Sequence, residues 1–164
     1  MTFEEYAHRR AGALLGLAVA VAGDRHVAED VVQDVLIKAH ARWAAIDELD
    51  DPHAYVRRMV VNEHLSWRRK WSRVVPFAEV TLFDDRPDDA SRHADRAALV
   101  QALGTLTRRQ RTVLALRFYE GLSDREIAAV LGCGEGSVRT HASRALGALR
   151  TKGDELLTMR EATS

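Results

Sequence analysis

Apolar residues recur at helical spacing along most of the chain, and strand-like alternation is scarce. Phe3, Ala7, Leu14, Ala18 and Val21 form a first stripe, opened by Thr2, whose spacing to Glu5 predicts a capping box. Gly23 and Asp24 break that helix. A second helix is expected from His26 to Ala45, with Ala28, Val31, Val32, Val35, Leu36, Ala39 and Trp43 on one side. Asp50-Asp51-Pro52 opens a third, because proline favours the first helical turn. It carries Tyr55, Val56, Met59, Val60 and Leu65 inward and runs to Trp71.

The period is then lost. Residues 74–92 hold Pro76, Pro87 and the run DDRPDD, the composition of a linker. Four further helices are expected. They span Ser91–Leu103, Thr107–Tyr119 with Gln110 completing a capping box, Ser123–Gly132 with Glu126 completing another, and Glu135–Arg150. The fold class is therefore all-α: two small helical domains, residues 1–73 and 93–151, joined by a flexible acidic linker, residues 74–92. Residues 152–164 form a C-terminal tail, read either as a frayed end or as a regulatory extension.

Composition narrows the function classes. The lone Cys133 excludes an internal disulfide and a cysteine-based zinc site, and a reducing, cytoplasmic setting is expected. No apolar run approaches the roughly 20 residues of a membrane span. The most apolar stretch, Leu14–Ala22, follows Glu4 and Glu5, which argues against a signal peptide. The seven histidines are scattered, and no metal ligand set, cofactor motif or catalytic constellation is expected. Glu29, Asp30 and Asp34 alone would make an incomplete metal site.

Formal net charge is zero, but the charge is segregated. Residues 1–73 carry 11 basic and 11 acidic groups, residues 74–95 carry 2 and 6, and residues 96–164 carry 11 and 7. The middle is acidic and the end is basic.

Gly121–Leu146 (GLSDREIAAVLGCGEGSVRTHASRAL) is the sharpest local signal. A helix of eight or so residues, a tight Gly132-Cys133-Gly134 turn and a second amphipathic helix make a helix-turn-helix. Ile127, Ala128 and Leu131 face Val138, Ala142, Ala145, Leu146 and Leu149. Ser137, Arg139, Thr140, His141, Ser143 and Arg144 are left on the outer side, donors suited to phosphates and base edges. Glu135 either accepts from a cytosine amine or helps the helix start. A helical hairpin with a solvated basic face is the plain alternative.

Two other surfaces stand out. Glu29, Asp30, Gln33 and Asp34 lie on one side of the second helix, with Ile37 nearby; such carboxylates repel DNA and suit a basic protein surface. On the third helix Arg57, Arg58, Arg68, Arg69, Lys70 and Arg73 outnumber Glu63, with Trp67 and Trp71 among them. Cations interleaved with aromatics suit single-stranded nucleic acid. Each surface also has a plainer reading: a solvated acidic face in the first case, core tryptophans in the second.

Taken together, these stretches resemble the extracytoplasmic-function group of sigma factors, in its actinobacterial sigma-E-like form, over nearly the whole chain. Leu106–Arg150 resembles their region four, Ala28–Trp43 (AEDVVQDVLIKAHARW) their region-two helix that docks on the polymerase, and Ala54–Trp71 (AYVRRMVVNEHLSWRRKW) the segment that reads the −10 element. The resemblance implies a non-enzymatic factor that binds core RNA polymerase and directs promoter-specific initiation. It implies that Ser137, Arg139, Thr140, His141 and Arg144 read the −35 element. Arg57, Arg58, Asn62, Trp67, Arg68 and Arg69 would read the −10 element, and the loop Asp47–His53 would receive a flipped base. Glu29, Asp30, Gln33, Asp34 and Ile37 would meet the β′ clamp helices, and region four the β flap. Promoter DNA is the nucleic-acid partner, an anti-sigma factor is a further candidate partner, and the free chain is expected to be a monomer. Gly134, where the family often has Ser or Thr, and Ser66, where an acid is frequent, depart from the pattern.

Extended, about 20 linker residues reach about 65–70 Å, near two DNA turns of about 34–36 Å each. A neutral chain of this kind should bind free promoter DNA poorly. A LuxR-type regulator would need a receiver or ligand domain, and residues 1–73 show no strand to build one.

Overall fold

The computed structural model describes residues 1–70, 99 and 101–162. Helix α1 spans Phe3–Ala22. The Thr2 hydroxyl accepts from the Glu5 N–H at 3.2 Å, and the Glu5 carboxylate accepts from the Thr2 N–H at 2.9 Å. The helix ends at Gly23, whose φ of 70° is a left-handed cap that glycine adopts without strain. Helix α2 spans Arg25–His40, with the Asp24 carboxylate accepting from the Val27 N–H at 3.0 Å.

The expected continuation of α2 to Ala45 does not occur. The chain turns at Ala41-Arg42 and a short helix, α3, spans Trp43–Asp47. Trp43 explains the break. Its ring packs on Phe3 and Tyr6, with centroids 5.6 and 4.7 Å apart, and its indole N–H donates to the Met1 carbonyl at 2.9 Å. Those contacts to α1 prevail over helix continuity. Helix α4 spans Pro52–Lys70, its first turn tied by the Asp51 carboxylate accepting from the Ala54 N–H at 2.9 Å.

The expected linker, Trp71 and most of the expected helix at 91–103 lie outside the described residues; residues 101–104 are helical. Helix α5 spans Arg108–Leu114 behind the expected Thr107–Gln110 capping box. It does not continue as an α-helix to Tyr119. Ala115–Tyr119 is a π-helical segment, in which the Glu120 N–H reaches five residues back to the Ala115 carbonyl at 3.1 Å. Helix α6 spans Asp124–Leu131 and closes at Gly132, φ 63°. Helix α7 then runs from Glu135 to Ala162.

α7 passes Arg150 without a break and carries residues 152–162 as helix. No proline interrupts them, and Lys152 donates to Glu155 at 3.0 Å.

α1 lies at the centre. It packs against α2 and α4 on one side and against α5 and the π segment on the other, while α4 meets α6. Leu14, Leu17, Ala18, Val19 and Val21 are all buried, so the helix is apolar around more than one face. One continuous core runs from these residues through Val31, Val35, Val56 and Val60 to Val113, Leu116 and Ile127. The two helical modules are thus packed together around one core.

Three inward positions need correction. Tyr55 points outward, because α4 turns Val56, Val60, Val61 and His64 into the core instead. Leu146 is exposed, since Val138, Ala142 and Ala145 already fill the seam with α6. On α1, Ala7 is only half-buried and the adjacent Tyr6 is fully so.

Replacing Leu17 with alanine should lower unfolding free energy by about 2–5 kcal/mol, read from the denaturant midpoint at constant slope. A loss no larger than that of an exposed alanine substitution would remove α1 from the centre of the core.

Candidate nucleic-acid interface

The helix-turn-helix is formed by α6 and the first part of α7. The Gly134 carbonyl accepts from the Ser137 and Val138 N–H groups at 3.0 and 3.2 Å, so Gly134 caps the helix through its backbone alone. Ile127, Ala128 and Leu131 meet Val138, Ala142 and Ala145 below. Ser137, Arg139, Thr140, Ser143 and Arg144 stand exposed above, while His141 is half-buried at the edge. The Thr140 hydroxyl donates to the Gly136 carbonyl at 2.9 Å, leaving its lone pairs to accept from a base amine. Glu135 lies 3.7 Å from the Arg139 guanidinium and aims it along the helix.

Beside this face the structure forms a cleft of about 530 Å³ that includes Arg117, Asp124, Arg139, Ser143 and Arg150. Arg117 is ion-paired with Asp124. Arg139, Ser143 and Arg150 recur at helical spacing, so Arg150 was legible as part of this stripe. Arg117 arrives from the π segment and was not.

α4 presents Arg58 and Asn62, one turn apart and exposed. Arg57 behaves differently. Its side chain is only 13% exposed, and its Nη1 donates to the Glu120 carboxylate, itself 11% exposed, at 3.0 Å. Trp67, Arg68 and Arg69 fall on the last turn of α4, and their side chains lie outside the described residues. Glu63, the acid of this helix, is ion-paired with Lys38 of α2.

Before α4, the loop 48–51 is pinned at both ends. The Met1 ammonium pairs with Asp47 at 3.0 Å, and the Tyr6 hydroxyl meets His53 Nδ1 at 3.1 Å. Burial, with Arg10 and Arg57 nearby, pushes His53 below its ordinary value, so its ring is neutral at pH 7. Burial pushes the Tyr6 phenol up to about 12.

On α2, Glu29, Asp30, Gln33 and Asp34 are exposed together, and Ile37 is 62% exposed. Arg25 donates to Glu29 at 2.8 Å. Next to this row an apolar groove of about 480 Å³ opens between α1 and α2, with Phe3, Ala11, Leu15, Val32, Leu36 and Ile37 among its walls. Helical periodicity turns Phe3 toward the core and gives Leu15 no distinct place, so the α1 wall of this groove shows only in the fold.

Comparison with known proteins agrees with this arrangement. The sequence profile described as Sigma-70 region 2 matches residues 6–74, and that described as Sigma-70, region 4 matches residues 96–149. An RNA polymerase sigma-E factor of Streptomyces coelicolor is 38% identical over 152 residues, 92% of this chain and 85% of the relative. The ECF RNA polymerase sigma factor SigL of Mycobacterium tuberculosis is 31% identical over 89% of this chain and 85% of its own. Among solved structures, the sigma factor RpoE in complex with the anti-sigma factor NepR from Bartonella quintana superposes with a TM-score of 0.72 at 26% identity, covering 93% of this chain and 96% of that one. CnrH in complex with the cytosolic domain of CnrY gives 0.62 at 27% identity, covering 93% and 88%.

His53 supplies a pH dependence. Its folded value lies below the unfolded 6.5, so the unfolded state takes up the proton first. Stability should therefore fall as pH drops through 6.5, and His53→Gln, which keeps a partner for Tyr6, should flatten that slope in thermal melts from pH 7.5 to 5. An unchanged slope would mean that His53 is not the buried neutral group.

Proposed function

The chain belongs to the sigma-70 family, within its extracytoplasmic-function group, and on that premise we propose how its surfaces divide the work of starting transcription. It is a transcription initiation factor and not an enzyme. The finer assignments rest on exposure, charge and reach.

Region four, residues 93–151, reads the −35 element as duplex. Ser137, Arg139, Thr140, His141 and Arg144 meet base edges and phosphates in the major groove, and Arg117 and Arg150 extend the basic surface along the backbone. The observation that carries this is the uniform exposure of Ser137, Arg139, Thr140 and Arg144 on one face of a helix whose other face is sealed against α6. Region two, residues 1–73, reads the −10 element through Arg57, Arg58, Asn62, Trp67, Arg68 and Arg69. The last three are assigned from their place on α4 and from the family pattern.

Core RNA polymerase is the protein partner. Glu29, Asp30, Gln33, Asp34 and Ile37 present a carboxylate row beside an apolar groove, the complement of a helix with a basic edge and an apolar stripe, and the β′ clamp helices are assigned to it. The β flap is assigned to region four. Residues 74–92 link the two modules. An anti-sigma factor is a further partner, since the RpoE and CnrH structures each contain a bound partner and RpoE's is named as one. Among the described residues no helix is long and apolar enough to cross a membrane, and the cytoplasm, where polymerase works, is the assigned location.

In vitro transcription with core polymerase on a genomic fragment library tests the reading: new start sites should appear only when the chain is added. Asp30→Arg with Asp34→Arg should abolish retention by core enzyme while preserving helicity. Arg144→Ala should weaken use of −35-dependent promoters by roughly 5- to 150-fold, the range of one lost bidentate base contact. Arg139→Ala should reduce the salt slope of DNA binding by about one if it neutralises one phosphate. Wild-type retention by the double variant would remove α2 from the polymerase interface.

A further inference from the structure

α4 carries five cations, Arg57, Arg58, Arg68, Arg69 and Lys70, and a single acid, Glu63. Glu63 follows Asn62 directly and so flanks the exposed row of Arg58 and Asn62. A carboxylate in that place works against a surface meant for phosphates, because like charges repel most where two bodies exclude water between them. The compensation comes from outside the helix. Lys38, on the last turn of α2, donates to the Glu63 carboxylate across 25 residues of sequence.

Magnitudes decide what this pair is for. The Lys38 side chain is 52% exposed, and an ion pair so open to water adds little to stability. Val31 and Val35 of α2 and Val56 and Val60 of α4 already share the core, so the two helices do not depend on it to stay together. Its effect on a third charge is larger. With Lys38 in place the pair is neutral, and without it a net negative charge faces any strand laid along α4. Lys38 is also turned away from the acidic row, since at 3.6 residues per turn it lies about 100° around α2 from Ile37.

We propose that Lys38 is a positioning residue for the −10 strand: it holds and cancels the Glu63 carboxylate, so that the phosphates of unpaired DNA can settle beside Arg58 and Asn62. The inference rests on the assignment of α4 to the −10 element made above. It puts a determinant of that step outside α4, on the helix assigned to polymerase. One side of α2 then faces the protein partner, and another conditions the surface that takes the DNA.

The test is binding of the full-length chain, assembled on core polymerase, to the unpaired non-template strand of a mapped promoter, read by fluorescence anisotropy. Measurements at about 50 and about 200 mM salt span a range over which one charge changes affinity about threefold. Lys38→Ala should weaken binding by at least about threefold at the lower salt and lose most of that deficit at the higher, as a screened charge does. Glu63→Gln alone should bind at least as tightly as the wild type, and combined with Lys38→Ala it should restore wild-type affinity. Retention by core polymerase and the thermal midpoint, which a merely structural pair would move, should stay at their wild-type values throughout. A Lys38→Ala deficit indifferent to salt, or a Glu63→Gln chain as weak as Lys38→Ala, would overturn the proposal. So would a double variant no better than Lys38→Ala, which would make Lys38 itself the phosphate contact, or loss of core retention, which would put Lys38 in the polymerase interface. If Arg58→Ala and Asn62→Ala bind the strand as the wild type does, the assignment of α4 falls instead.

Discussion

The structure depends on α1 being apolar around more than one face. A surface helix buries one stripe and leaves the rest to solvent. Leu14, Leu17, Ala18, Val19 and Val21 bury too much circumference for that, and the helix needs cover on two sides. α2 and α4 supply one, α5 and the π segment the other. Every functional surface is placed by this requirement. α2 turns its carboxylates outward because its valines face α1, and the helix-turn-helix is carried on a body whose back rests against α1 and α4.

Charge is grouped by helix. Carboxylates of α2 gather beside an apolar groove, while guanidinium groups gather on α7 and around the neighbouring cleft, with further cations on α4. A factor with no net charge gains little from non-specific attraction to DNA. Selectivity then rests on presenting the right groups at the right separation, which is a matter of geometry rather than of total charge.

Much of this was legible in the chain because it is set locally. The capping boxes at Thr2, Thr107 and Ser123 and the glycine stops at 23 and 132 are contests among neighbouring residues, and the structure has each where the spacing put it. The exposed outer face of α7 and the acidic row of α2 follow from periodicity in the same way. What escaped was set by distant contacts. The break after His40 answers to Phe3, Tyr6 and Met1; the π segment shows only as a wide turn within an unbroken helical pattern; and the Arg57–Glu120 pair joins residues that nothing in local sequence connects. Periodicity places Arg57 among other cations on α4, while its partner Glu120 lies 63 residues away. Leu146 was misplaced because an apolar residue one turn from the core also suits the wall of a polar cleft.

The length of α7 has a mechanical meaning. Its 28 residues make a rod about 42 Å long whose near end carries the exposed row of Ser137, Arg139, Thr140 and Arg144 and whose far end lies beyond the helix-turn-helix. Hydrogen-bonded turns resist twisting, so azimuth at one end is coupled to azimuth at the other. Whatever grips the far turns of that rod holds a lever on the orientation of that exposed row.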